Sequence, residues 1–170
     1  MPASELEARM QKRWVLSVQL GFNTLPGLGL GGSYMATDHL AFDAGMGIGI
    51  SGRKLGARAR WNFTTGSWAP FAAAGLIHAF GLPDPIEYKQ GGEQFHYKVG
   101  SASWMQLAAG LDGQGPGDWF VLRFEGGWVV PLQDEGILLV DGAASSDTWH
   151  AIHVVTRGKL VLGVSFGAAF

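Results

Sequence analysis

The 170-residue chain contains no cysteine. That excludes a disulfide framework, a thiolate metal site and a cysteine nucleophile. Charge is also scarce, because Asp, Glu, Lys and Arg together make up 15% of residues, against about 25% in an average soluble domain. The formal net charge of −2 leaves no basic surplus to neutralise phosphates, so nucleic acid is excluded as a partner. Long apolar runs are missing too: no stretch approaches the roughly 18 consecutive residues that a membrane-spanning helix requires. No secretory leader is visible, since Met1 to Arg13 mixes acids and bases without an apolar stretch. If the chain is exported, its leader is expected to have been removed from this sequence or its start to be misplaced.

Glycine is abundant, with 27 positions, and the AVILMFWYC set supplies 47%. These residues are ordered with a period of two, the signature of strands rather than helices. Trp14, Leu16, Val18, Leu20 and Phe22 alternate with Val15, Ser17, Gln19 and Gly21. Leu28, Leu30, Gly32, Tyr34 and Ala36 form a second apolar row, and Leu40, Phe42, Ala44, Met46, Ile48 and Ile50 a third. The parity flips across a turn to Leu55, Ala57, Ala59, Trp61 and Phe63. Trp68–Phe80 is apolar on both faces. Further rows run through Met105–Leu111, Phe120–Val130 and Leu160–Phe170, making eight segments in all.

Most segments span about nine to twelve residues, the length a tilted strand needs to cross a bilayer, whereas globular strands run about five or six. The face opposite the apolar row is glycine, alanine and serine with few charges, which suits the crowded lumen of a narrow barrel better than a water-facing surface. Connections at Thr37–His39, Thr64–Ser67 and Gly113–Asp118 fall on one rim. Those at Asn23–Gly27, Ser51–Lys54, Gly81–Ser101 and Pro131–Gly158 fall on the other, and the last two are long. Within them, Ile86–Lys89 with Gln94–Val99, and Ile137–Val140 with Trp149–Val155, are predicted as hairpins that extend the barrel wall. Trp14, Tyr34, Phe42, Trp61, Phe63, Trp68, Trp119, Phe120 and Phe170 gather near the short-turn rim, with Phe22, Phe80, Trp104 and Trp128 near the other. Two aromatic belts bounding an aliphatic band are expected of a membrane-spanning wall.

On these segments the chain resembles the small eight-stranded outer-membrane barrels of the OmpA, OmpX and OmpW type, over roughly residues 13 to 170. The terminal Lys159–Phe170 strand looks like the C-terminal assembly signal of such proteins. Ala36–Thr37–Asp38–His39–Leu40 and Ser67–Trp68–Ala69–Pro70–Phe71 are similar to stretches that flank their periplasmic turns. The resemblance implies an all-β, antiparallel, up-and-down transmembrane barrel in a bacterial outer membrane. It also implies contact with membrane lipid and lipopolysaccharide, and recognition of the last strand by the barrel assembly machinery. Another envelope protein is a further expected partner; no cofactor is expected.

Inward parity selects Asp43, Arg58, Arg60, Asp112, Arg123 and Glu125 as lumen charges, and unpaired charges in so narrow a space would be costly. A turn tip at Ser51–Gly52 places Asp43 opposite Arg60. The group reads as a salt-bridge network filling the barrel, with a gate or polar path as the alternative.

Catalysis is disfavoured, since no histidine is followed by serine in the His-x-Ser spacing of the deacylase-like barrels. Asp141, Asp147 and His150, which loosely fit protease-like chemistry at a loop rim, read better as a turn and a strand. On a strand His150 and His153 would face opposite ways, against metal binding. Gly27–Gly32 lacks the Lys-Ser/Thr ending of a phosphate loop. Pro2–Arg13 could form a short amphipathic helix through Leu6 and Met10, so residues 1–12 are set apart from the barrel at 13–170.

Overall fold

The computed structural model describes residues 12–90, 92–115, 119–157 and 159–170; the helix expected within Pro2–Arg13 lies outside them except at its last two residues. Among these residues eleven strands form: β1 Trp14–Phe22, β2 Leu28–Met35, β3 Leu40–Gly49, β4 Gly52–Asn62, β5 Trp68–Ala79, β6 Ile86–Gln90, β7 Glu93–Val99, β8 Ala102–Gln114, β9 Phe120–Asp134, β10 Ile137–Gly142 and β11 Leu160–Ala169. Among the described residues one helix, α1, spans Ser146–Arg157. Eight strands close into an antiparallel barrel in the order β1-β11-β9-β8-β5-β4-β3-β2, and β10-β7-β6 make a separate small sheet.

Strict alternation builds the wall. Strand β4 is buried at every even position and exposed at every odd one, and β1 alternates likewise along most of its length. The even residues of β1 to β3 point outward, so Leu16, Leu30 and Met46 are each 63% exposed. An apolar band this extensive is not a surface that a monomer keeps against water; closure meanwhile removes the open sheet edge that hydrocarbon could not solvate. In the doubly apolar β5, Ala69, Phe71, Ala73, Ile77 and Ala79 turn inward, while Trp68 and Leu76 face out.

The turns follow from local chemistry. At the short rim the Thr37 hydroxyl accepts hydrogen bonds from the His39 and Leu40 amides. At the long rim Gly49 pairs with Gly52, which puts the two-residue tip at Ile50–Ser51 rather than at Ser51–Gly52. The β1–β2 connection does not stay on the rim. Thr24, Leu25 and Pro26 drop into the barrel mouth and are fully buried, and the return is made by Gly27 at φ +73°, a conformation that favours glycine.

The long connections differ from the pattern of two wall-extending hairpins. Ile86–Gln90 and Glu93–Val99 do form one, but β10 adds to its β7 edge. Trp149–Val155 belongs to helix α1 rather than to a strand. The helix packs Ile152 against Phe95 and Ile137, and Phe95 stacks on Tyr88 at 4.9 Å. A small capped sheet thus sits above the long rim with an apolar core of its own.

Candidate functional site

All six inward charges converge in the lower half of the lumen. Asp43 accepts from Arg58 Nε at 3.0 Å and from Arg60 Nε at 3.2 Å, and lies 3.5 Å from Arg123 Nη1. Asp112 meets Arg60 Nη1 at 2.7 Å and Arg123 Nε at 3.3 Å, while Glu125 meets Arg58 Nη2 at 2.6 Å. Three guanidinium groups therefore face three carboxylates, with no net charge left over. The register corrects the expected pairing: Asp43 lies opposite Arg58, and Arg60 lies opposite Ala41. Arg60 still reaches Asp43 because its long stem spans the inward step between them.

The network crosses the barrel. Strands β3 and β9 stand four places apart in the eight-strand circuit, so they are diametrically opposed, yet Asp43 on β3 and Arg123 on β9 touch. Neutral groups finish the layer: Arg58 donates to Gln106 Oε1 at 3.4 Å, Arg60 to Asn62 Oδ1 at 2.7 Å and Arg123 to the Ser33 hydroxyl at 3.4 Å. The ring of Phe71, 1% exposed, lies 6.0, 5.6 and 5.9 Å from the guanidinium carbons of Arg58, Arg60 and Arg123. Sequence reasoning missed Phe71. Its neighbours Ala73, Ala108 and Gly110 are the small residues that leave room for it.

Above this layer an apolar cluster fills the lumen, with Lys54 at its side. Leu25 from the inserted connection packs with Ile77, Trp104, Val129 and Val161. Trp104, expected in the outward belt, points inward in phase with Gln106; partner strand β9 takes up an irregularity between Ser103 and Trp104. Lys54 was expected in a loop but is an inward strand residue, donating to Asn23 Oδ1 at 3.5 Å and lying 5.6 Å from the Trp104 ring.

On the outside, Trp14, Phe42, Trp61, Phe63, Trp68, Trp119 and Phe170 are exposed at the short rim, and Tyr34 and Phe120 are half-buried there. Trp14 contacts Tyr34 with centroids 4.8 Å apart, and Trp119 contacts Phe120 at 5.9 Å. Phe80 and Trp128 are exposed toward the opposite rim. Phe170 exchanges backbone hydrogen bonds with Trp14, so the last residue locks the seam between β11 and β1.

No protein-family model and no curated protein sequence matches the chain. Among solved structures, the N-terminal β-barrel domain of Pseudomonas aeruginosa OprF matches it with a TM-score of 0.55, at 16% identity, over 94% of this chain and 98% of that one. The fold is that of a small eight-stranded outer-membrane barrel. Acinetobacter baumannii CarO also matches, with a TM-score of 0.49 and 11% identity over 95% of this chain and 98% of that one.

The barrel's outer sheet carries the remaining polar candidates and rearranges them. Asp141 is held by His96, whose backbone and ring nitrogens lie 3.1 and 2.7 Å from its Oδ1. Asp147 lies instead in the first turn of α1, and His150 and His153 share that helix, where the His153 ring meets Trp149 at 5.5 Å. The opposite-face argument against a metal at the two histidines therefore does not apply; among the described residues, no cluster of three or more His, Cys, Asp or Glu forms around them.

Hydrogen bonding from His96 holds the Asp141 carboxyl below its ordinary value. A lowered folded-state value means the bond stabilises the sheet above the ordinary aspartate range near ~4 and is lost as pH falls through the lowered value. Hydrogen exchange of β7 amides, corrected for intrinsic rate, is expected to lose protection on acidification from about pH 5 to 3 in the wild type. Asp141→Asn should lose less protection than the wild type over that window, the remainder coming from Glu93 and Glu135, which hydrogen bonds also hold below their ordinary values; parallel curves for the two proteins would refute the coupling.

Proposed function

We propose that the chain is a non-enzymatic integral protein of a bacterial outer membrane with a closed lumen. Its function lies in the cap of β6, β7, β10 and α1, acting as a surface-interaction or accessory subunit of an envelope assembly. The observation that carries the reading is the contact of Arg123 with Asp43 across the full width of the barrel. Eight strands leave an interior only wide enough for side chains, and here the paired charges with Phe71 among them, and Leu25 from the inserted connection, occupy it. In this reading the short-turn rim faces the periplasm and the outward aliphatic band meets lipid and lipopolysaccharide. Lys159–Phe170 is the segment engaged by the barrel assembly machinery, and the cap is the surface offered to another envelope protein.

The narrow-channel alternative, a path for small apolar molecules, makes the opposite electrical prediction. Reconstituted in a planar bilayer in concentrated KCl, the wild-type barrel should give no sustained unitary current steps. Reproducible steps that scale with the amount of folded protein would overturn the closed lumen.

A further inference from the structure

The cap holds a cavity of its own, about 470 Å³ in volume, within the usual range of small-ligand sites. One wall is a face of the hairpin. Tyr88 stands opposite Phe95 in the β6–β7 register and Tyr97 follows Phe95 by two, so the three rings share one side of the sheet. Tyr88 stacks on Phe95 at 4.9 Å, Tyr97 tilts 47° to it at 6.1 Å, and both tyrosines line the cavity. The other wall is one side of α1, where Asp147, Thr148, Ala151, Ile152 and Thr156 recur at helical spacing. Ile152 packs on Phe95, which turns that side of the helix toward the rings. The Ser51 hydroxyl donates to the Thr156 carbonyl at 2.8 Å, and the adjacent turn-tip residue Ile50 completes the lining.

The charge on this side has one sign. Among the described residues, the lining holds one group charged at neutral pH, the Asp147 carboxylate. Glu93, in phase with Phe95, adds a second carboxylate close by, held by hydrogen bonds from Ser145 and Thr148. Lys89 and Lys98 alternate with the tyrosines and so belong to the opposite face of the hairpin. We propose that this cavity binds a methylated ammonium group, with the cation against the rings of Tyr88 and Tyr97 and beside Asp147, and its carbon chain along Ile50, Ala151 and Ile152. Aromatic faces attract a cation whose charge is spread over methyl groups. A primary ammonium carries three donors that each want an oxygen, and much of this lining is aliphatic. Asp147 is exposed, so the cation enters from water. The same group is found on small soluble cations and on choline lipids, and either would be recognised by this chemistry. The site rests on the geometry of the cap and not on the membrane reading above.

The test is a titration of the full chain in maltoside micelles with choline and with 3,3-dimethylbutan-1-ol, which keeps the shape but has carbon in place of the nitrogen. Binding is read from the methyl NMR shifts of Ala151 and Ile152. Choline is expected to bind about tenfold more tightly than the neutral alcohol, the sum of two partly exposed ring contacts and one carboxylate. Asp147→Asn and Tyr97→Leu should each cut that preference by at least about threefold. The asparagine change, on an exposed residue of the first helical turn, carries the test if the leucine variant loosens the cap, which the Ile152 shift of the ligand-free protein reads. Phosphatidylcholine added to the micelles separates the two sources: saturation at a lower concentration than choline names a membrane head group, and the reverse names a soluble cation. Equal binding of choline and the alcohol, or an unchanged preference in the folded Asp147→Asn protein, would overturn the site and leave the closed-barrel reading standing.

Discussion

Asp43→Ala should lower the stability of the folded barrel by about 3–5 kcal/mol, the range for removing one partner from a buried ion pair. The carboxylate is the only one of the three that contacts Arg58, Arg60 and Arg123 together. Without it those guanidinium groups keep Asp112 and Glu125 but repel one another across a space closed to water. Asp43→Asn should lose nearly as much, because it preserves volume and removes the charge. Arg53→Ala, on the exposed side of the same strand pair, should stay within about 0.5 kcal/mol of wild type. Urea titrations of the protein folded in lipid vesicles, read by tryptophan fluorescence, measure all three. Coincident midpoints for Asp43→Ala and Arg53→Ala would mean that the charges do not hold the barrel.

The second large effect is expected at Phe71. Truncation to alanine leaves a cavity at the level of the ion network, and core Phe→Ala changes cost about 3–5 kcal/mol. The ring also offers its face to three guanidinium groups at 5.6–6.0 Å, each contact worth about 0.5–2 kcal/mol when desolvated. Phe71→Leu separates the contributions, since it restores most of the volume without the aromatic quadrupole. It should fall between wild type and Phe71→Ala. A leucine variant as stable as wild type would assign the effect to volume alone; an alanine variant within about 0.5 kcal/mol would refute the filled lumen.

The parts legible in the sequence were those that a period of two encodes. The eight wall segments and the inward side of the six charges follow from parity, and parity survives small register errors. Moving the turn tip from Ser51–Gly52 to Ile50–Ser51 exchanges Arg60 for Arg58 opposite Asp43, a shift of one inward step that leaves every side chain on its face. Phe71 was hidden because Trp68–Phe80 is apolar on both sides, so alternation carries no sign there. Leu25 was hidden because a short apolar residue in a connection gives no hint that the connection turns inward. Trp104 was legible, being in phase with inward Gln106, but its ring suggested a belt.

Helix α1 had a signal of its own. Ser145 Oγ accepts from the Thr148 amide at 3.3 Å, and Asp147 occupies the first turn, the chemistry of a helix N-terminus. The alternating pattern on both sides, together with β-branched residues such as Ile152 and Val154, favoured a strand. Tertiary packing of Ile152 on Phe95 and Ile137 decided for the helix.

The account depends most on the outward apolar row meeting hydrocarbon, and a chain without cysteine allows single-cysteine spin labels to be placed one at a time along β1. In bilayers, labels at Leu16, Val18 and Leu20 should be reached by oxygen and shielded from a water-soluble nickel chelate, while labels at Ser17 and Gln19 should be poorly reached by either. Collision rates that alternate in this way from residue to residue are the predicted result. Labels at Leu16 and Val18 as open to the nickel chelate as one at exposed Asp141 would contradict it.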